Sequence, residues 1–340
     1  MVSDRDLFAA SGPLHVTSVN WQCPHYRRSV AASLVQGAYV LERDRQKNRS
    51  SEARAPAWWE FFHFKLIRQL VDDADLSIFG AIYEFKPPIS FQNSSTTNAP
   101  KFVIALRGTI TKNKSLSRDL KLDLSFLHYG LHRSSRFEIT MQAVQCIVSN
   151  AGHLNVWLAG HSLGAALATL AGKKMAMEGI HLDAFLFNPP FFSPPIERIK
   201  DKEVKHGIRI ASSFIAAGLA VAMKNQRKKS EELFTILSSW VPNLFINPAD
   251  HVYAEYIGYF DHRKKMVEIG AAGIGRLATQ NSIGDLLLNA FGQETDPIHL
   301  LPSANLIIST GHSPDFKRAH GIHQWWAKDL TLRFEEHRYN

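Results

Sequence analysis

The sequence predicts an α/β fold, with a mostly parallel central sheet flanked by helices in one domain over residues 1–340. Short apolar segments of strand length alternate with longer segments whose apolar residues have helical spacing. The segment Val156–Met177 is typical of a strand, a sharp glycine-containing turn and an Ala/Leu-rich helix. No internal repeat or low-complexity block is present, and no clean boundary separates two domains.

Length and composition are those of a globular protein with a large core. The 340 residues are 45% hydrophobic and 21% charged, and the formal net charge is +8. The basic residues are scattered apart from the run at 224–229, which we interpret as a solvated helix face or a loop rather than a binding patch. We therefore expect no nucleic-acid partner.

Cysteine usage and hydropathy indicate a soluble cytoplasmic protein. Cys23 and Cys146 lie far apart in unlike surroundings and predict neither a disulfide framework nor a metal motif. Residues 1–7 lack the apolar run of a secretory signal, and the most apolar-leaning segment, 212–223, is too short to cross a bilayer. We expect no metal and no cofactor.

The first 75 residues or so are expected to form an N-terminal helical extension. Apolar residues recur at helical spacing between about 25 and 45, and the polar stretch 47–57 is interpreted as a linker. The aromatic stretch Trp58–Ile67 is expected to be a helix packed over the sheet, because polar residues interleave with its aromatic ones. The alternative is a lid or a helix that touches a membrane.

The other elements follow from apolar runs and the turn residues that bound them. Strands are predicted at 77–85, 101–106, 182–187 and 243–246, and helices at 137–150, 208–240 and 282–291. The polar, partly basic residues from 110 to 135 are expected to form loops.

The turn Gly160-His161-Ser162-Leu163-Gly164 has the pattern G-x-S-x-G between a predicted strand and a predicted helix. The small residues Gly160 and Gly164 let strand and helix approach each other. Ser162 is then presented at the helix N-terminus, where the helix dipole favours developing negative charge. This context predicts a nucleophile elbow, and the alternative is a tight β-α turn with an incidental serine.

A nucleophilic serine needs an imidazole to accept its proton, and the imidazole needs a carboxylate to hold its tautomer. Asp250 is the preferred carboxylate because it directly follows a predicted strand and a turn. Asp183 begins a strand and would lie at the wrong edge of the sheet, and the second choice, Asp261, follows an aromatic segment instead. The alternative role for Asp250 is to cap the next helix.

The imidazole is sought among the late histidines. The segment Ala319–Trp326 contains His320 and His323, with a glycine beside them and two tryptophans that could anchor the segment. We favour His320 over His323 as the base, and the choice between them stays open at this point. His161, next to the nucleophile, is interpreted as structural because neighbouring side chains diverge at such a turn.

Two hydrogen-bond donors are needed for the oxyanion that forms when an ester carbonyl is attacked. One is the backbone N–H of Leu163, directly after the nucleophile. The other is expected in the loop Arg107-Gly108-Thr109, just past a buried strand, where Thr109 offers both its N–H and its hydroxyl. The alternative is that this loop is a plain turn.

These motifs resemble those of the class-3 lipases, a family of α/β-hydrolases. The resemblance rests on Val103–Thr109 and on Gly160–Ala168. It extends to a plant subgroup labelled GDSL esterase/lipase through Gly12–His15, Arg27–Gly37, Tyr256–Phe260 and Ala319–Trp326. No Gly-Asp-Ser-Leu run exists in the chain, so its motif chemistry is that of the G-x-S-x-G hydrolases.

The resemblance implies an ester hydrolase with Ser162 as nucleophile, Asp250 as acid partner and His320 or His323 as base. It also implies Thr109 and Leu163 as oxyanion donors. The stretch from about 200 to 240 resembles a helical insertion over the cleft.

Two departures from the family pattern bear on substrate choice. Gly164-Ala165 stands where Gly-Gly is usual, which is a mild change. Phe187–Pro190 replaces the usual Gly-Ser-Pro-Arg stretch, which alters the cleft and leaves the acyl preference open.

The sequence therefore favours a serine carboxylic-ester hydrolase that acts on lipid or other acyl esters through an acyl-enzyme. The alternative is a catalytically weak lipase-like protein with a binding or signalling role, since fold and site do not fix function. Peripheral membrane contact through the aromatic stretch and the basic run is a further hypothesis and is compatible with the first. The oligomeric state does not follow from the sequence.

Overall fold

The computed structural model of the chain describes residues 4–89, 98–110, 131, 134–191, 232, 234–250, 253–268 and 301–339. The α-helices are α1 (Phe8–Ser11), α2 (Pro24–Gln46), α3 (Ala57–Glu60), α4 (Ser135–Ala151), α5 (Leu163–Met177), α6 (Glu255–Glu268) and α7 (Phe316–His320). Short 3-10 helices lie at Asp4–Asp6, His153–Asn155 and Ile322–Trp326. The strands are β1 (Phe64–Val71), β2 (Ile78–Phe85), β3 (Phe102–Leu106), β4 (Val156–His161), β5 (Asp183–Phe187), β6 (Asn243–Ile246), β7 (Ala304–Ser309) and β8 (Leu332–His337).

The strands form one eight-stranded sheet in the order β1 to β8, so each strand pairs with its neighbours in sequence. β3 to β7 are parallel. β1 pairs antiparallel with β2, β2 with β3, and β7 with β8. The predicted fold class, a mostly parallel sheet flanked by helices, is confirmed, and the carboxyl ends of five parallel strands meet at one edge.

The central strands are buried on both faces of the sheet. In β4, Val156 and Leu158 pack into one core with α4 and α5, whereas Trp157 and Ala159 pack into a second core with α2. Successive side chains of a strand point to opposite faces, so a continuous apolar run fits a strand with helices on both sides. The strand predicted at this position is therefore a central one.

Helix α2 is the main element of the second face. It begins at Pro24, whose missing N–H is no loss in the first helical turn. The apolar residues from Val30 to Val40 are buried, because Ala and Gly residues let the helix lie close to the sheet. Near its C-terminal end α2 carries Tyr39, whose hydroxyl reaches the carboxyl edge of the sheet.

The aromatic stretch Trp58–Ile67 is not a helix, contrary to its prediction. Helix α3 ends at Glu60, and strand β1 begins at Phe64, so the predicted N-terminal helical extension contributes an edge strand to the sheet. Trp58 and Trp59 are 0% and 5% exposed. Both tryptophans pack inside the protein, as the favoured interpretation expected, and they form neither a lid nor a membrane-facing surface.

Other predicted elements match the structure to within a few residues, including α2, α4 and strands β2 to β6. The predicted helix 282–291 lies outside the described residues, as does most of the helical stretch 200–240, of which residues 234–237 are helical. Among the helices in the described ranges, none has both the length and the apolar composition needed to cross a bilayer.

Candidate active site

Ser162 lies between the end of β4 and the start of α5, with φ +55° and ψ −126°. A positive φ is unusual for a residue that has a side chain, and here it marks a sharp strand-to-helix turn. The Ser162 N–H donates to the Phe187 carbonyl at 3.0 Å, which ties the turn to the end of β5. The side chain of Ser162 is therefore at the N-terminus of α5, where the helix dipole favours negative charge.

Three pieces of backbone meet around Ser162 because glycines leave room for them. A Cβ on Gly160 would collide with the backbone of Gly164. A Cβ on Gly164 would in turn collide with the carbonyl of Leu106, at the end of β3. A Cβ on Gly108 would lie 2.8 Å from the Cβ of Ser162. The loop after β3 is thus packed directly against the serine.

Asp250 and His320 form a hydrogen-bonded pair at the same edge of the sheet. Asp250 follows β6, and its buried carboxylate accepts a hydrogen bond from His320 Nδ1 at 2.8 Å. Because a carboxylate only accepts, Nδ1 carries a hydrogen, so that in the neutral form of the ring Nε2 is the nitrogen with a lone pair. His320 can therefore accept a proton at Nε2.

Other rings surround the imidazole of His320. Its ring centroid lies 4.6 Å from that of Tyr253, 5.6 Å from that of Phe316 and 4.8 Å from that of His161. The Tyr253 and Phe316 rings are stacked on it, with interplanar angles of 28° and 3°. These contacts fix the plane of the imidazole, and the contact with His161 places it beside the serine turn.

His323, the second candidate base, lies in a different part of the structure. Its ring centroid is 6.2 Å from that of Trp58 and 5.0 Å from that of Trp326, both in the aromatic layer next to α2. Burial, with Arg5 and Arg43 nearby, lowers the pKa of His323 to about 3. His323 is therefore a neutral core side chain, and the histidine bonded to Asp250 is His320.

Asn188 belongs to this site, although the sequence analysis gave it no role. It follows β5 with φ +44°, and its Nδ2 donates to Asp250 Oδ2 at 2.7 Å. Its Oδ1 accepts from the indole N–H of Trp325 at 3.0 Å. Because an indole N–H only donates, the amide is oriented with its NH₂ toward the carboxylate. The one feature of the sequence that could have indicated this role is the position of Asn188 directly after a predicted strand.

Side-chain amides also join the loop after β6 to the segment that carries His320. Asn247 Oδ1 accepts from the Ala249 N–H at 2.9 Å, which shapes the turn before Asp250. Asn247 Nδ2 donates to Gln324 Oε1 at 2.7 Å, and Gln324 Nε2 donates to the Gly321 carbonyl at 3.1 Å. The carboxylate and the imidazole are therefore positioned together.

Tyr253 is a second residue of the site without a role in the sequence analysis. Its hydroxyl lies 3.0 Å from Ser162 Oγ. Burial raises the pKa of the Tyr253 phenol well above its ordinary value, and the Asp250 carboxylate adds to this effect. The phenol therefore stays protonated and can donate. The only signal was its place three residues after Asp250, in a segment whose aromatic residues also suit a core.

The two backbone donors expected from the sequence belong to segments that lie beside Ser162. Arg107 is buried, and its Nη1 donates to the Gly108 carbonyl at 2.7 Å. In a trans peptide the next N–H points opposite to the carbonyl, so the Thr109 N–H is directed away from Arg107. The Leu163 N–H lies in the first turn of α5, where the helix supplies no acceptor.

Two other carboxylates considered from the sequence lie away from these groups. Asp183 begins β5 at the opposite edge of the sheet, where it accepts from Arg27 at 2.6 Å. Asp261 lies on an exposed position of α6. Within the described part of the chain, no group of three or more His, Cys, Asp or Glu side chains is arranged to hold a metal ion.

Comparisons with known proteins place this chain in a family. The model of the family described as Lipase (class 3) matches residues 91–208. A protein named GDSL esterase/lipase from Arabidopsis thaliana is 53% identical over 352 aligned positions, which cover 100% of this chain and 99% of that protein. The chain belongs to the class-3 lipase family. No solved structure matches it.

The family assignment predicted from the motifs is thus confirmed, and it extends the fold assignment to the α/β-hydrolases. In this class-3 lipase the region matched by the family model contains Thr109, Ser162 and Leu163. Asp250 and His320 lie beyond residue 208, and the match to the Arabidopsis protein is the one that spans both parts of the site.

Proposed function

We propose that this class-3 lipase is a serine carboxylic-ester hydrolase that acts on lipid or other acyl esters through an acyl-enzyme intermediate. The observation that carries the proposal is the His320–Asp250 hydrogen bond of 2.8 Å, placed against the turn that presents Ser162. Family membership supports hydrolysis of lipid esters. Neither a metal nor a cofactor enters the proposed reaction.

In the acylation half-reaction, Ser162 Oγ attacks the ester carbonyl carbon while His320 Nε2 takes the hydroxyl proton. The Asp250 carboxylate stabilises the imidazolium that forms. The carbonyl oxygen becomes an oxyanion, which accepts hydrogen bonds from the N–H groups of Leu163 and Thr109. The tetrahedral intermediate collapses with cleavage of the ester C–O bond, and the imidazolium gives its proton to the leaving alcohol.

Deacylation repeats these steps with water as the nucleophile. His320 Nε2 takes a proton from the water, whose oxygen attacks the acyl carbon bound to Ser162. The second tetrahedral intermediate uses the same oxyanion donors. Its collapse breaks the bond from the acyl carbon to Ser162 Oγ, the serine regains its proton from His320, and the carboxylic acid leaves.

Asn188 has a supporting role in this proposal. A buried carboxylate is costly unless hydrogen bonds satisfy it. Asn188 and His320 both donate to Asp250 Oδ2, so the charged carboxylate has two donors in place before the imidazolium forms. The same amide links Asp250 to Trp325, in the segment that carries the base.

The test is covalent labelling with a fluorophosphonate probe, which reacts with activated serine hydroxyls. We expect the wild type to be labelled and Ser162→Ala to be unlabelled, because the proposed nucleophile is gone. Ser50→Ala, which removes an exposed serine hydroxyl, serves as the matched control and should label like the wild type. Labelling that survives Ser162→Ala would overturn the proposal.

The second candidate function is that of a catalytically weak lipase-like protein with a binding or signalling role. The observation that favours it is the cover over the nucleophile, since Ser162 is 2% exposed and its Oγ bonds the Tyr253 hydroxyl. A folded wild type that neither reacts with the probe nor hydrolyses a short-chain nitrophenyl ester would favour this function over the first.

A further inference from the structure

Three hydrogen bonds in series connect the loop after β3 to the segment that carries His320. The Gly108 N–H lies 2.8 Å from the hydroxyl of Tyr39, on α2. That hydroxyl lies 2.8 Å from His161 Nδ1, and His161 Nε2 lies 2.7 Å from the main-chain carbonyl of His320. Tyr39 and His161 are both buried, so the series is shielded from water.

The direction of each bond follows from its partners. The His320 carbonyl only accepts, so His161 Nε2 carries a hydrogen. Burial, with His320 nearby, lowers the pKa of His161 well below its ordinary value, so the ring is neutral and Nδ1 is an acceptor. The Tyr39 hydroxyl therefore donates to Nδ1 and accepts from the Gly108 N–H. Every hydrogen-bonding atom of the two side chains is used.

We propose that Tyr39 and His161 are positioning residues that couple the oxyanion loop to the base segment of the same active site. This inference rests on the proposed serine-hydrolase function. One end of the series orients the peptide before Thr109, a proposed oxyanion donor. The other end holds the backbone of His320, the proposed base. Neither side chain has to touch substrate for this role.

The loop end of the series is fixed on both sides of Gly108. Tyr39 accepts the N–H of Gly108, and Arg107 Nη1 donates to its carbonyl at 2.7 Å. A Cβ on Gly108 would lie 2.8 Å from both the Tyr39 hydroxyl oxygen and the Ser162 Cβ. A small rotation of this peptide would therefore change the direction of the Thr109 N–H relative to the serine.

Other buried polar side chains of the protein show that the pairing of Tyr39 and His161 is not simply what burial requires. The hydroxyl of Tyr83 and the Nδ1 of His323 are buried without a hydrogen-bond partner in the described structure. This core thus accepts a tyrosine and a histidine with unpaired polar atoms. Tyr39 and His161 instead use all of theirs, and both ends of the series lie next to proposed catalytic atoms.

The experiment compares four single variants of the full chain. Tyr39→Phe removes the central hydroxyl, and Tyr83→Phe removes a buried hydroxyl outside the series as the matched control. His161→Gln retains a donor near the Nε2 position for the His320 carbonyl. His161→Asn retains an acceptor near the Nδ1 position for Tyr39 and loses the link to His320. Thermal unfolding midpoints establish that each variant is folded.

We expect the second-order rate of fluorophosphonate labelling to fall about tenfold in Tyr39→Phe and in His161→Asn, a loss typical of one buried hydrogen bond. For a soluble ester the loss should be in kcat rather than in KM. His161→Gln keeps the bond to the His320 carbonyl and loses the acceptor for Tyr39, so its rate should fall about as far as that of Tyr39→Phe, whereas Tyr83→Phe should equal the wild type. The double variant of Tyr39→Phe and His161→Asn should lose no more than the worse single variant, because the two residues act in one series.

Wild-type rates in a folded Tyr39→Phe variant would overturn the inference, and so would fully additive losses in the double variant. If the His161 variants do not fold, the comparison of labelling rates between Tyr39→Phe and Tyr83→Phe decides the test by itself. Failure of the wild type to react with the probe would instead contradict the proposed function.

An NMR readout then tests the coupling without activity. Tyr39→Phe should increase solvent exchange of the His320 Nδ1 proton, which Tyr39 does not contact. Unchanged exchange would overturn the inference.

Discussion

At the scale of single residues, Tyr253 contacts each member of the proposed Ser-His-Asp set. Its hydroxyl lies 3.0 Å from Ser162 Oγ, and its ring is stacked on that of His320. Its N–H donates to the Asp250 carbonyl at 3.0 Å. If the phenol donates to Oγ, the serine hydrogen is free to point toward His320. The same donor stabilises negative charge that develops on Oγ during attack and release.

The substitution Tyr253→Phe removes this donor and keeps the stacked ring. We expect kcat for a soluble ester to fall about tenfold, which corresponds to the loss of one hydrogen bond to a partly charged oxygen. KM should change little, because the phenol acts on the nucleophile. Steady-state kinetics with Tyr83→Phe as the control check this expectation. An unchanged or increased kcat would show that the phenol only covers the serine.

Sequence reasoning reached the proposed serine turn, which is local, and missed two residues of the proposed site whose contacts depend on strand order. Ser162 and its glycines lie within five residues, so the steric need for small neighbours is visible in the motif. Asn188 and Tyr253 act on groups 62 and 91 positions away. Such contacts depend on which strand ends lie next to each other in the sheet. From the sequence alone, an Asn after a strand is equally typical of a turn, and a Tyr in an aromatic segment is equally typical of a core.

At the scale of elements, an ion pair joins α4 to the β1–β2 connection. Asp72, just after β1, is buried and accepts from Arg136 Nε at 2.5 Å, Ser135 Oγ at 2.7 Å and the Ala74 N–H at 3.1 Å. Burial of Asp72 favours its neutral form, but the Arg136 hydrogen bond and the other donors outweigh burial and hold the pKa of the carboxyl below its ordinary value. The pair therefore stabilises the folded state when Asp72 is charged.

Replacement of Asp72 by asparagine should lower the free energy of unfolding by about 2 kcal/mol at pH 7, because hydrogen bonds to a charged group are lost. A carboxyl with a depressed folded-state pKa contributes stability above its unfolded pKa and loses it as pH falls through the folded value. The difference from wild type should thus be largest above about pH 5 and shrink below about pH 4. Urea unfolding across this range measures it.

The exposed carboxylate of Asp73 provides the control for this element. Asp73→Asn should leave the free energy of unfolding within about 0.5 kcal/mol of the wild type, as is usual for surface substitutions. If the loss of unfolding free energy in Asp72→Asn stays constant down to pH 3, shape rather than charge joins α4 to the β1–β2 connection.

The sequence analysis assigned neither edge strand, β1 or β8, and it also missed β7, which lies between β6 and β8. β1 has exposed residues on both faces at its centre, and its mix of aromatic and polar residues imitates an amphipathic helix. β8 is highly charged, with no side chain fully buried, and it is a strand because its backbone pairs with β7. Central strands are buried on both faces, and their apolar runs predicted β2 to β6 but not β7. Edge strands depend on a partner that lies far away in sequence.

At the scale of the whole molecule, the second face of the sheet supports the base segment. Arg28, on α2, donates from Nε to the Trp325 carbonyl at 2.7 Å. The Trp326 indole donates to the Ser11 carbonyl at 2.9 Å, and the Trp325 indole donates to Asn188. The segment after α7 is therefore bonded both to the N-terminal layer and to the active-site edge. Residues 11 and 28 thus contact the segment that directly follows His320.

The substitution Arg28→Met tests this support. It keeps most of the side-chain volume and removes the donor to the Trp325 carbonyl, leaving a buried acceptor without its partner. We expect amide hydrogen exchange over residues 316–326 to become about tenfold faster, because local opening of this segment becomes easier. Arg68→Met, at an exposed position on β1, is the matched control and should exchange like the wild type. If exchange in 316–326 is unchanged in a folded Arg28→Met variant, the Arg28 donor does not support the base segment, and its remaining bonds to Asn188 and Ser11 suffice.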